Sequence, residues 1–110
     1  MPWLMRDGDV LATLEVVESI SHRTRGLLGR EGIKGALLLR PARWVHTIGM
    51  KFPIDVAFCS SEMRVVATAR MPPYRLSLPR LKARCVIEAE AGSFERWNLH
   101  LGDTLEVGNG

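Results

Sequence analysis

Ile54-Asp55-Val56-Ala57-Phe58-Cys59, then Ser60-Ser61-Glu62-Met63, then Arg64-Val65-Val66-Ala67-Thr68-Ala69-Arg70, is the stretch that decides the fold. In the first run Ile54, Val56 and Phe58 fall on one side, and Asp55, Ala57 and Cys59 on the other. In the last run Val65, Ala67 and Ala69 stand opposite Arg64, Val66, Thr68 and Arg70. A period of two marks a strand, because successive strand side chains leave opposite faces. A short polar link between two such runs predicts a hairpin.

Working outward, the same pattern returns. Upstream, Ala36 to Arg40 is a short apolar run between Gly35 and Pro41 and reads as a buried strand. Val10 to Glu18 places Val10, Ala12, Leu14 and Val16 on one side, a half-buried strand opened by the turn signal Asp7-Gly8-Asp9. Ser21 to Gly29 predicts a helix of about two turns, with Ser21 to cap it, Gly29 to end it and Gly26 weakening it by about 1 kcal/mol. Downstream, Met71 to Arg80 carries Pro72, Pro73 and Pro79 and reads as a loop. Ala83 to Ala91 is again a strand, Gly92-Ser93 opens a short helix to about Leu99, and Gly102-Asp103 turns the chain into a last strand, Thr104 to Val107. The expectation is one mainly β domain over 1–110, a compact β-sandwich or barrel of roughly seven to nine strands with one or two short helices.

Composition agrees with one soluble domain: 110 residues, 46% hydrophobic and 25% charged. No apolar run approaches the length of a spanning helix. The first residues show no basic end followed by an apolar core, so no secretory leader is visible and a cytoplasmic location is expected. Cys59 and Cys85 stand far apart, too few for a disulfide framework or a structural zinc site, and both read as small buried hydrophobes. Whether they pair is left open by spacing. The net charge of +3 is unevenly spread. From Arg64 to Ile87 there are six basic residues and no acidic one, whereas the remainder carries nine basic against twelve acidic.

Several motifs, taken in order, resemble the domain of unknown function 192 family. They are Arg25-Gly26-Leu27-Leu28-Gly29-Arg30, His46 through Phe58, Val65-Val66 with the following proline loop, Val86-Ile87-Glu88 with Ala91-Gly92, and Leu101-Gly102-Asp103. Their order and spacing match roughly from Ala12 to Val107. The resemblance implies a compact, mainly β domain with one or two short helices and no established activity; some members look exported. Many members carry Trp-Met-Lys-Asn-Thr where this chain has His46-Thr47-Ile48-Gly49-Met50, while Pro53 and Asp55 match. No role for that lysine or asparagine carries over.

Few residues could carry chemistry. Asp55 sits mid-strand between apolar neighbours, where a carboxylate needs solvent or a partner. Arg25 is one candidate partner, and the choice lies between a pocket-lining carboxylate and a structural ion pair. His46 could act as a base with Asp55 or Thr47, or hydrogen-bond a neighbouring loop. His22 and His100 lie at no recognised ligand spacing from it, so no metal is expected. Trp44, Met50 and Phe52 either edge a groove or pack. No phosphate loop, nucleophile elbow or zinc-protease motif occurs, and no cofactor is expected. Tyr74, Arg75 and Arg80 place an aromatic between arginines in the proline loop, able to meet phosphate or an acidic protein. Nucleic-acid binding would ask for a denser basic footprint.

The reading that follows is a small non-enzymatic binding or accessory module. Its surface would combine the His46–Met50 and Tyr74–Arg80 loops, and its partner would be a protein or a small anionic ligand. The alternatives are a small hydrolase-like enzyme using His46 with Asp55 or Thr47, and binding of nucleic acid or another anionic partner through Arg64–Arg84.

Overall fold

The computed structural model describes residues 2–18 and 33–109. The first predicted helix, Ser21 to Gly29, and with it Arg25, lie outside the described residues. Among the described residues seven strands run in chain order: β1 Pro2–Arg6, β2 Asp9–Val17, β3 Ala36–Leu39, β4 Ile54–Cys59, β5 Val65–Met71, β6 Cys85–Glu90 and β7 Glu106–Asn109. One short helix, α1 Ser93–Arg96, precedes β7.

The strands form one mixed sheet in the order β5-β4-β6-β3-β2-β1-β7. Every neighbouring pair is antiparallel except β2 and β3, which run parallel with Leu14 beside Ala36 and Val17 beside Leu39. A parallel pair needs a long crossover, and the connection 18–35 is long enough to be one. The expected mainly β architecture is therefore present as a single curved sheet, neither a two-sheet sandwich nor a closed barrel. Its two edges meet around the bridge between Arg64 and Thr104, where Val65 N–H donates to the Asp103 carbonyl at 2.8 Å, Gly102 N–H to the Val65 carbonyl at 2.8 Å and Leu105 N–H to the Met63 carbonyl at 2.9 Å, while β5 and β7 themselves are not paired as strands.

The decisive hairpin forms as its alternation requires. Ser60 N–H donates to the Arg64 carbonyl at 2.9 Å, and Met63 turns the chain with φ 61°. A bulge between Phe58 and Cys59 shifts the register, so Cys59 faces Val65 but Asp55 faces Arg70. The Asp7-Gly8 signal also holds: both residues have positive φ, 53° and 83°, as a two-residue hairpin turn demands. Pro2–Arg6 shows no alternation clear enough to read, yet it forms β1 because both β2 and β7 supply partners.

The central strands β3 and β4 are buried along their whole length, and β6 up to its last residue. Both faces of the sheet are therefore covered, and the period-two pattern sorts residues into two cores. Ile54, Val56 and Phe58 join Leu37, Leu39 and Val86 on one face. Ala57 and Cys59 join Leu38, Ile87, Leu4 and Phe94 on the other. The first core is roofed by the chain before β4, which contributes Val45, Met50 and Phe52. α1 contributes Phe94 to the second; this helix ends at Arg96 rather than near Leu99, and Asn98 follows with φ 53°. Trp97 stacks at a tilt on Phe94, 5.6 Å between ring centres.

Candidate functional site

Two irregular segments meet over the first core. Thr47 N–H donates to the Arg75 carbonyl at 2.8 Å, Tyr74 N–H to the Thr47 carbonyl at 2.9 Å, and Ser77 N–H to the Val45 carbonyl at 2.9 Å. His46 and Leu76 form an antiparallel bridge. Further along, Arg80 N–H donates to the Arg43 carbonyl at 2.9 Å and Ala42 N–H to the Arg84 carbonyl at 3.0 Å. The two loops singled out in the sequence are thus one hydrogen-bonded ribbon. Prolines 72, 73 and 79 keep its second limb from becoming a regular strand.

Thr47 is the rivet of this ribbon. It is wholly buried, and its hydroxyl donates to the Pro72 carbonyl at 2.7 Å while accepting from Arg75 N–H at 2.7 Å. The hydroxyl proton is thus committed to a backbone carbonyl and not to His46, whose Nδ1 has Ile48 N–H as its partner. His46 itself is half-buried; its Nδ1 accepts from Ile48 N–H at 3.3 Å, and its ring lies 6.2 Å from that of Trp44.

Asp55 belongs elsewhere. It points to the face of the sheet opposite the ribbon, where it is 4% exposed. Its Oδ1 accepts from Arg70 Nε at 3.0 Å, and its Oδ2 accepts from Gly92 and Phe94 N–H at 2.9 and 3.1 Å. The carboxylate therefore ties the hairpin to the start of α1, and it raises the pKa of Arg70 by hydrogen bond and charge. Its partner among the described residues is Arg70, whereas Arg25 was the partner the sequence suggested. The sheet lies between Asp55 and the ribbon, so the structure does not assemble the pairing of His46 with Asp55.

The other named residues divide by exposure. Met50 and Phe52 are core residues. Trp44 and Tyr74 are exposed, as are Arg75 and Arg80. Arg80 is not simply solvated: its guanidinium lies over the Phe58 ring, 5.5 Å from the centre. Tyr74 has φ 62°, a left-handed conformation that bulky residues rarely adopt. Cys59 and Cys85 are buried free thiols facing each other across β4 and β6. Cys59 Sγ donates to the Ala57 carbonyl at 3.9 Å and Cys85 Sγ to the Ser60 carbonyl at 3.8 Å, and the interaction between the two thiols raises the pKa of Cys59 and lowers that of Cys85.

Sequence reasoning missed four residues that the structure places with these. Ile48, Leu76, Leu78 and Leu81 project from the same ribbon, the last two 79% and 80% exposed. Large apolar residues in a loop were the available signal, but ordinary turn chemistry drew attention to the prolines and arginines instead. Arg43, Lys51, Arg75 and Lys82 are exposed around them, and among the described residues none is paired with a carboxylate. The reason lies in the sequence: no acidic residue occurs from Gly32 to Ile54 or from Arg64 to Ile87. Among the described residues no group of histidine, cysteine and carboxylate side chains is placed to hold a metal.

Known proteins share this fold. A protein of Sinorhizobium meliloti described as a "putative transcription regulator" superposes with a TM-score of 0.81 at 20% identity, over 96% of this chain and 91% of that one. A protein of unknown function from Novosphingobium aromaticivorans gives 0.76 at 21% identity, over 86% and 74%. At these identities the likeness establishes the fold. In sequence, a UPF0127 protein of Pyrococcus horikoshii is 26% identical over 98 residues, 84% of this chain and 85% of the relative. The family described as "Uncharacterized ACR", domain of unknown function 192, matches residues 3–107, nearly all of the described fold. The chain belongs to the domain of unknown function 192 family.

Proposed function

We propose that the chain is a small binding module whose working surface is the outer side of the ribbon formed by residues 43–51 and 72–84. One observation carries this reading. The ribbon sends Val45, Thr47 and Met50 inward, and it holds Trp44, Ile48, Tyr74, Leu76, Leu78 and Leu81 out in solvent. Exposed apolar residues scattered singly need no explanation, but a contiguous group on one element marks an interaction site. Leaving these side chains in water is unfavourable, and the buried hydrogen bonds of Thr47 keep the ribbon from folding them inward. Strained backbone at Tyr74 fits the same purpose, because it turns an aromatic outward from a fixed frame.

The test is site-specific photo-crosslinking of the full chain in cells. A photoreactive residue at Leu78 is compared with one at Leu101, which is also exposed but sits at the opposite end of β5. Adducts at position 78 well above those at 101, whether to protein or lipid, support the reading. Equal adducts, or none at 78, overturn it.

A further inference from the structure

We propose that the occupant of the ribbon is the surface of an anionic lipid bilayer, and that the chain docks on it peripherally. This rests on the binding-surface reading above and adds the partner. The argument begins with shape. Leu78 and Leu81 are about four-fifths exposed, so they stand out into solvent. A peptide docked in a groove needs walls for its side chains. A bilayer interface needs none, because the lipid closes around whatever projects.

Chemistry points the same way. Trp44 and Tyr74 combine an apolar body with a polar tip, the pairing that settles at headgroup depth. Leu76, Leu78, Leu81 and Ile48 supply the purely apolar surface that enters the acyl boundary. Arg43, Lys51, Arg75 and Lys82 are exposed on the same ribbon, and among the described residues none of them is paired with a carboxylate. Such residues are drawn to a negative leaflet, each strengthening binding by about fivefold when close to it. The same charge disfavours a second copy of this chain as occupant, since ribbon against ribbon would oppose like charges with no acid between them. One apolar contact or one basic patch alone gives marginal membrane affinity; the two signals together are what reversible docking requires.

The experiment is co-sedimentation of the full chain with phosphatidylcholine vesicles, with and without phosphatidylserine, at low and high salt. The expected result is binding at least about tenfold tighter to the anionic vesicles, weakening as salt rises. The double variant Leu78→Ser, Leu81→Ser is expected to bind them about tenfold less well. Arg75→Glu with Lys82→Glu is expected to remove the preference for phosphatidylserine. Leu101→Ser is expected to bind as the parent does. All these positions are exposed, and circular dichroism confirms that each variant keeps its fold. Equal binding to neutral and anionic vesicles, no binding to either, or no loss in the leucine variant overturns the proposal. If polyglutamate in solution binds the ribbon while vesicles do not, the lipid assignment fails and the binding-module reading stands. Silence of the photo-crosslinker at position 78 would remove both.

Discussion

Asp55 illustrates what a single residue can announce and what it cannot. Its place between Ile54 and Val56 is enough to say that it needs a partner. The identity of the partner depends on register. Counting back from the Ser60–Met63 turn along an unbroken ladder would put Asp55 opposite Ala69. The bulge at Phe58/Cys59 moves it by one residue onto Arg70. Its other partners, the N–H groups of Gly92 and Phe94, lie 37 and 39 residues away and leave no local trace in sequence. The chemistry gives a prediction. Asp55→Asn keeps one acceptor oxygen but loses the charge that serves Arg70 and α1 together. It is expected to destabilise the fold by about 2–3 kcal/mol in urea denaturation. Arg70→Ala is expected to cost less, because Arg70 is largely in water while Asp55 is 5% exposed at its side chain. Asp103 offers a second test, in pH. Its carboxylate accepts from His100 N–H at 2.9 Å and pairs with Arg6 at 3.0 Å, and these contacts hold its pKa below the ordinary 3.8. A depressed folded-state value means that the stabilisation is complete above 3.8 and is lost as pH falls through the lowered value. Thermal melts of Asp103→Asn are therefore expected to fall less steeply on the acid side than those of the parent.

At the level of elements, alternation was legible and irregular pairing was not. The strands β2 to β6 follow from period two, Gly and Pro punctuation and the short link between β4 and β5. β1 was illegible because its placement comes from two partners at distant points of the chain. The ribbon was half legible. Its two loops stood out by composition, but their pairing through Val45, Thr47 and Ser77 carries no sequence period. The proline-rich limb gains order only from what it is bonded to. Thr47→Val tests this, since the substitution keeps the shape and removes the hydroxyl. It orphans the Pro72 carbonyl and the Arg75 N–H at once, and a loss of about 1–3 kcal/mol is expected. Hydrogen exchange should accelerate at Tyr74 and Ser77 more than at β4, because the ribbon would loosen while the sheet remained.

On the scale of the whole molecule, one sheet separates two cores, and adjacent residues feed different ones. Leu37 packs in the core beneath the ribbon and Leu38 in the core beside α1, and both are essentially buried. Because the strands are shared, the cores cannot unfold separately. Leu37→Ala and Leu38→Ala are each expected to cost about 2–5 kcal/mol while leaving a single urea transition. Two transitions in either variant would show that the cores are independent. Charge is segregated at this scale as well. The basic excess seen along the chain is gathered only in part: Arg75, Arg80, Lys82 and Arg84 lie on the ribbon with Arg43 and Lys51, whereas Arg70 pairs with Asp55 on the opposite face and Arg64 bridges Thr104. Alternation alone could equally have scattered those side chains over both faces, so only the pairing of the two loops reveals which of them gather.

The pairing of β1 with β7 sets Pro2 beside Asn109. The two ends of the described chain are therefore neighbours, and the order in which the strands are strung is separable from the sheet they build. A circular permutant, with the old ends joined by a short flexible linker and new ends opened in the exposed Ser61–Glu62 turn, would keep every strand pair intact. It is expected to fold to the same sheet with a lower melting temperature, measured by circular dichroism. The chain would then begin with β5 and end with β4, and the ribbon would still fold across the first core with its leucines outward.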